Sequence, residues 1–170
     1  MDKADTSWEA RVAALWETLD DQAPEAFVAQ LDVVLAELPA GSPIALFERG
    51  SAQDSTGHPE RAVPLYGAAL AAGLTGLRRR RAVIQMASSL RNLGDPARAA
   101  ELLTAELGSA DDELSGAVRA FLALALVDLG REREAVAVSL SALSRYLPRY
   151  NRSLARYAAH LTDAAIDPSH

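Results

Sequence analysis

The chain has 170 residues, enough for one compact domain or one short solenoid. Hydrophobic residues make up 49% and charged ones 24%, the balance of a soluble globular protein, and aromatics at 5% leave the core to Ala, Leu and Val. The absence of cysteine excludes disulfides, thiolate metal sites and cysteine nucleophiles, and the net charge of −6 gathers at one end: residues 1–60 carry 12 acidic and 3 basic side chains, residues 61–170 carry 11 and 14.

Taken in chain order, Thr6 to Asp20 reads as a helix, with Thr6 and Glu9 at capping-box spacing and Val12, Leu15, Trp16 and Leu19 on one stripe. Pro24 suits the first turn of a second helix, which runs to about Leu38 through Phe27, Leu31, Val34 and Leu35. Pro39 to Pro43 is a break, with Ser42 as cap of a third helix that stops at Gly57. Pro59 opens a fourth helix ending near Gly73, and a fifth runs from about Thr75 to Gly94. Asp95 and Pro96 open the sixth, which ends at Gly108, and Ser109 and Asp112 open the seventh, which ends at Gly130. The eighth spans about Glu132 to Leu147 before Pro148, and the ninth about Arg149 to Ala165. No segment alternates as a strand would, and the loops are short enough for antiparallel neighbours.

One pattern returns three times: GHPERAVPLYGAAL at Gly57–Leu70, GDPARAAELLTAEL at Gly94–Leu107 and GREREAVAVSLSAL at Gly130–Leu143. The glycines are 37 and 36 residues apart, and so are Ala62, Ala99 and Ala135 and the leucines that follow. A period of this length in an alanine-rich helical sequence means stacked helix pairs, none able to bury its apolar face alone.

At these residues the chain resembles the tetratricopeptide repeat family, whose repeat is two antiparallel helices in about 34 residues. Leu46, Gly50, Gly57, Ala62, Tyr66 and Ala69 match the family positions in the first clear unit. Ala87, Leu90, Gly94, Ala99 and Leu103 match in the second, and Leu122, Ala123, Leu126, Gly130, Ala135 and Ala142 in the third. Arg49, Gln53, Glu106 and Ser139 depart from the pattern. The resemblance is good over residues 43–148 and weaker on either side. It implies an all-α, right-handed α-α superhelix, a solenoid of about nine antiparallel helices forming a single domain over 1–170. The expected parts are a degenerate helix pair at 6–39, repeats at 43–73, 75–108 and 109–147, and a capping helix at 149–165. Ala62, Ala99 and Ala135 should lie where the second helix of each unit crosses the first.

In this family the first helix of each unit lines a concave surface where protein or peptide partners lie. Helical spacing assigns to that surface Ile44, Phe47, Ser51 and Asp54 from the first unit, then Arg81, Ile84, Ser88, Arg91 and Asn92 from the second. The third gives Ala117, Ala120, Leu124 and Asp128. Apolar residues flank arginine and asparagine here, so an extended acidic peptide, or a C-terminal carboxylate held by Arg81 and Arg91, suits it. Phe47 and Ser51 stand where the family's chaperone-tail binders carry the first residues of a lysine-and-asparagine clamp, which argues against that ligand.

The run Arg78–Arg81 points in four directions on a helix, and no aromatics interleave with it. It reads as a solvated helix start with Glu48 or Glu106 near by, and as a contact for an acidic peptide before a nucleic-acid site. The acidic first third also repels phosphate, so no nucleic-acid partner is expected. His58, His160 and His170 have no ligands at metal-like spacing, and no phosphate loop or nucleophile elbow is present, so neither an enzyme nor a cofactor is expected. The opening MDKADTSWEA has no apolar core of a secretory signal, and no stretch approaches the roughly 18 apolar residues of a membrane helix, which points to the cytoplasm. Arginine in place of lysine, with only Lys3 present, reads as bacterial GC-rich codon usage.

The last helix has no second helix of its own. Its stripe of Leu154, Ala158, Leu161 and Ala165, with Tyr157 beside it, either caps the third unit or meets another copy in a homodimer. The tyrosines Tyr146, Tyr150 and Tyr157 around Pro148 suit an interface rim.

Overall fold

Proline sets the start of four helices in the computed structural model, which describes residues 3–109 and 111–163. Pro24, Pro43, Pro59 and Pro96 each stand in the first turn, where the missing N–H costs nothing and the fixed φ is already helical. The helices are α1 Lys3–Trp16, α2 Pro24–Leu35, α3 Pro43–Ser55, α4 Pro59–Ala71 and α5 Gly76–Asn92. They continue as α6 Pro96–Leu107, α7 Ser115–Asp128, α8 Glu132–Ser144 and α9 Asn151–Asp163, with one short 3-10 turn at Leu19–Asp21. Among the described residues there is no strand.

Three turns are built alike. Gly57, Gly94 and Gly130 have φ of +85°, +86° and +70°, a left-handed conformation that costs an L side chain about 1–2 kcal/mol. Each lets the next residue's N–H reach back five residues to close the preceding helix: His58 to Gln53 at 2.8 Å, Asp95 to Leu90 at 2.9 Å, Arg131 to Leu126 at 2.8 Å. Those same residues start the next helix with nearly equal dihedrals: φ/ψ of −116°/61° at His58, −115°/63° at Asp95 and −108°/49° at Arg131. The repeat seen in the sequence is therefore a repeat of one backbone turn.

The contacts divide the chain into two compact units, Met1–Ala82 and Val83–His170, with the boundary inside α5. Local contacts of this kind are what a repeat protein makes, each helix touching its sequence neighbours.

In the first unit α1 packs on α2, α2 on α3, and α3 on α4. Trp8, Val12, Phe27, Leu31 and Leu35 are buried together with Ala45 and Ala52, while Leu15, Trp16 and Val34 pack at the edge. The Trp8 indole donates to the Val34 carbonyl at 3.0 Å, and the Trp16 ring tilts against Phe27 with centroids 5.0 Å apart. Gly50 allows α3 to approach α4, because a Cβ there would stand 2.9 Å from the Tyr66 ring.

In the second unit α6 packs on α7, α7 on α8, and α8 on α9. Its buried apolar side chains are mostly aliphatic, including Ala99, Leu103, Val118, Leu122, Leu126, Ala135 and Ala158, and Glu106 is buried among them. Ala62 in the first unit and Ala99 and Ala135 in the second are all buried, as their crossing positions require, whereas Ala97 is exposed.

Several expected boundaries are displaced. Helix α1 spans Lys3–Trp16, so it begins before Thr6 and stops short of Asp20. Helix α7 begins at Ser115, not near Ser109, because Asp112 is spent on a turn: its carboxylate accepts from the Leu114 N–H, and its own N–H donates to the Ser115 hydroxyl, both at 2.9 Å. Helices α2 and α8 stop at Leu35 and Ser144, about a turn short of Leu38 and Leu147. Ala165 and His170 lie outside the described residues.

Candidate partner-binding surface

Helix α3 carries Ile44, Phe47, Ser51 and Asp54 on one side, and the structure turns most of that side inward. Phe47 and Ser51 are 0% and 1% exposed, so they shape the surface from beneath and offer no contact to a partner. Ile44 and Asp54 are half-buried. The Phe47 ring tilts against Tyr66, centroids 6.2 Å apart, and the Tyr66 hydroxyl donates to the Asp54 carboxylate at 3.4 Å. Burial first, and the Asp54 charge second, push the ionisation of Tyr66 far above its usual value, so it stays a neutral donor.

On this aromatic base sits Arg81, its guanidinium 5.2 Å from the Phe47 centroid. That cation–π seat holds an exposed charge in place without neutralising it. Among the described residues Arg81 has no carboxylate partner.

The rest of the arginine run behaves differently from a solvated helix start. Arg80 is buried. Arg78 spans two carboxylates, with one nitrogen 3.0 Å from Glu9 and its Nε 3.1 Å from buried Glu48. The Trp16 indole donates to the other Glu48 oxygen at 2.9 Å, which completes a polar network from α1 through α3 to α5. Hydrogen bonds to Glu9 first and Glu48 second hold the Arg78 guanidinium firmly charged. Glu48 as a partner was legible in the sequence; Glu9 and Trp16 were not, being 69 and 32 residues away from the groups they meet.

In the second unit Ile84 is buried, Ser88 is half-buried and Asn92 is exposed. Arg91 forms an ion pair with Asp128, so two residues expected to face a partner face each other. Arg91, expected with Arg81 to hold a carboxylate, thus already has a counter-ion within the chain. Ala117 is half-buried, Ala120 is exposed and Leu124 is 45% exposed, leaving an apolar edge on α7.

Helix α9 lays Ala158 into the interior against α8, with Leu154 and Leu161 half-buried, and Arg133 of α8 donates to the Leu161 carbonyl at 2.7 Å. Of the described members of the stripe only Ala158 is fully buried, while Tyr146, Tyr150 and Tyr157 are exposed. Among the described residues no three His, Asp or Glu side chains come together as a metal site would need, and no helix is long and apolar enough to cross a membrane.

Helix pairs joined by one repeated glycine turn, with buried alanine where the second helix crosses, define a tandem helical-hairpin protein. The tetratrico peptide repeat profile matches residues 43–161, and the chain belongs to the tetratricopeptide repeat family. The match runs through most of α9, beyond residue 148 where the strong resemblance ended. No curated protein and no solved structure matches the chain. The family is generally a protein–protein interaction module.

Proposed function

We propose that this chain is a non-catalytic binding module that takes an extended acidic segment of a partner protein, with Arg81 as the anchoring cation. The observation that carries this reading is the Arg81 guanidinium held over Phe47, exposed and without a carboxylate of its own among the described residues. A cation fixed this way loses little side-chain entropy on meeting a carboxylate, and it can receive both oxygens at once. A cytoplasmic setting suits such a partner.

An array of peptides differing in acidic content, followed by fluorescence anisotropy on the best binder, tests this. Arg81→Glu should weaken acidic peptides by about tenfold or more, and added salt should weaken the wild-type complex. Arg98→Glu, an exposed arginine outside the proposed surface, should change little. Equal affinity of the wild type and Arg81→Glu would remove Arg81 from the site and the acidic preference with it.

A further inference from the structure

A recess of about 380 Å³ opens in the first unit where the first turns of α3 and α5 meet the turn that joins α4 to α5. Pro43 and Ile44 line it from α3, Leu74 and Thr75 from the turn, and Leu77 and Arg78 from α5. Leu74 is buried and Ile44 half-buried, but Leu77 is 48% exposed, so the recess keeps apolar surface open to solvent. Arg78 brings no free charge to it, since its guanidinium is paired with both Glu9 and Glu48. An acid would gain little there, and a lysine or arginine would meet a like charge. A neutral apolar side chain is the group that fits, because it covers Leu77 and Ile44 without disturbing that network.

The recess lies one helical turn from the Arg81 seat. Leu77 and Arg81 are four residues apart on α5, and therefore on one side of the helix. Ile44 and Phe47 are three apart on α3, and it is the Phe47 ring that carries the Arg81 guanidinium. From the recess to the cation both helices thus advance by about 5–6 Å, at about 1.5 Å per residue. An extended chain advances about 3.3 Å per residue, so two of its residues cover nearly the same distance. Side chains two apart on such a chain also point to the same side.

We infer that the acidic segment carries a bulky aliphatic or aromatic residue two positions from the acid that Arg81 holds, and that the recess takes this side chain. The inference rests on the binding reading above and adds a spacing rule to it. Charge alone would admit any acidic stretch. A carboxylate at Arg81 together with an apolar side chain against Leu77 selects among them, and either direction of the bound chain satisfies the spacing.

The test uses the best acidic peptide from the array. A single leucine is stepped past the acid on either side, with alanine at the other neighbouring positions, and fluorescence anisotropy follows binding. Leucine two positions from the acid should bind about tenfold more tightly than the all-alanine peptide, and leucine next to the acid should not. Leu77→Ser, at an exposed position and bringing no charge near Arg81, should weaken the leucine peptide far more than the alanine peptide. Circular dichroism verifies that the variant keeps its helices. Equal affinity at every leucine position, or an equal loss for both peptides in Leu77→Ser, overturns the recess as a subsite. In either case weaker binding by Arg81→Glu still leaves the Arg81 reading in place. If binding follows the leucine but ignores both the acid and Arg81→Glu, the Arg81 reading fails and the spacing rule with it. Failure of every acidic peptide to bind has the same consequence.

Discussion

The two units use one turn and one helix length but fill their interiors with different material. Met1–Ala82 holds Trp8, Trp16, Phe27, Phe47 and Tyr66, every one buried or half-buried. Val83–His170 holds Phe121, Tyr146, Tyr150 and Tyr157, and its three tyrosines are exposed. Among the described residues each unit buries one carboxylate, Glu48 in the first and Glu106 in the second; Glu48 meets Trp16 and Arg78, and the apolar interior of the second unit is mostly alanine, leucine and valine. The difference teaches that the repeat prescribes where small residues must go and leaves the large ones free. The first unit gains specificity from rings and charges whose loss is expensive; the second gains it from close approach of slim helices.

The comparison breaks most sharply at Phe47. Phe47→Ala should cost about 4 kcal/mol in denaturant unfolding and also loosen Arg81, while Leu122→Ala in the second unit should cost about 3 kcal/mol. A smaller loss at Phe47 than at Leu122 would deny the first unit its dependence on rings. Next comes the polar network. Arg78→Met should cost about 3 kcal/mol, because Glu48 is left charged and buried, and Arg78→Met/Glu48→Met should recover a good part of that loss. If the double variant is no better than the single one, the cost lies in packing and not in the stranded charge.

Smaller effects should be common to both units. Ala62→Leu and Ala99→Leu should each cost roughly 1–3 kcal/mol by overpacking, against near zero for Ala97→Leu. Equal melting temperatures for Ala99→Leu and Ala97→Leu would mean the register is wrong. The smallest effect concerns pH. Hydrogen bonds from Arg11 to Glu37, from Arg131 to Glu134, and from Arg145 and then Ser115 to Asp111 hold these carboxylates below their usual range. Their contribution is full above the unfolded carboxylate value of about 4 and is lost as pH falls through the lower folded values. All three lie at the surface, so Asp111→Asn should lower the melting temperature slightly at neutral pH and leave it unchanged in strong acid.

The helix starts were legible wherever proline or a capping acid marked them, and the ends wherever glycine took the left-handed turn. Both signals are local, and local chemistry survives in a single sequence. The start of α7 was misplaced because Asp112 and Ser115 satisfy each other's backbone before the helix begins, a choice between two uses of the same residue types. The surface was harder. Periodicity groups Ile44, Phe47, Ser51 and Asp54 on one side of α3 but does not say that α4 will cover Phe47 and Ser51. Likewise, nothing near Arg91 in the sequence announces Asp128.

The glycine turns bear on how the chain reaches this state. Each closes over five residues, and each joins two helices that lie within one repeat length of one another. Helices pack mainly on their sequence neighbours, the Arg78–Glu9 contact between α5 and α1 excepted, so the search is short and folding should fall in the microsecond-to-millisecond range of local helical topologies. A chain emerging from the ribosome can finish α3 and α4 around Gly57 while the α9 sequence is still being made.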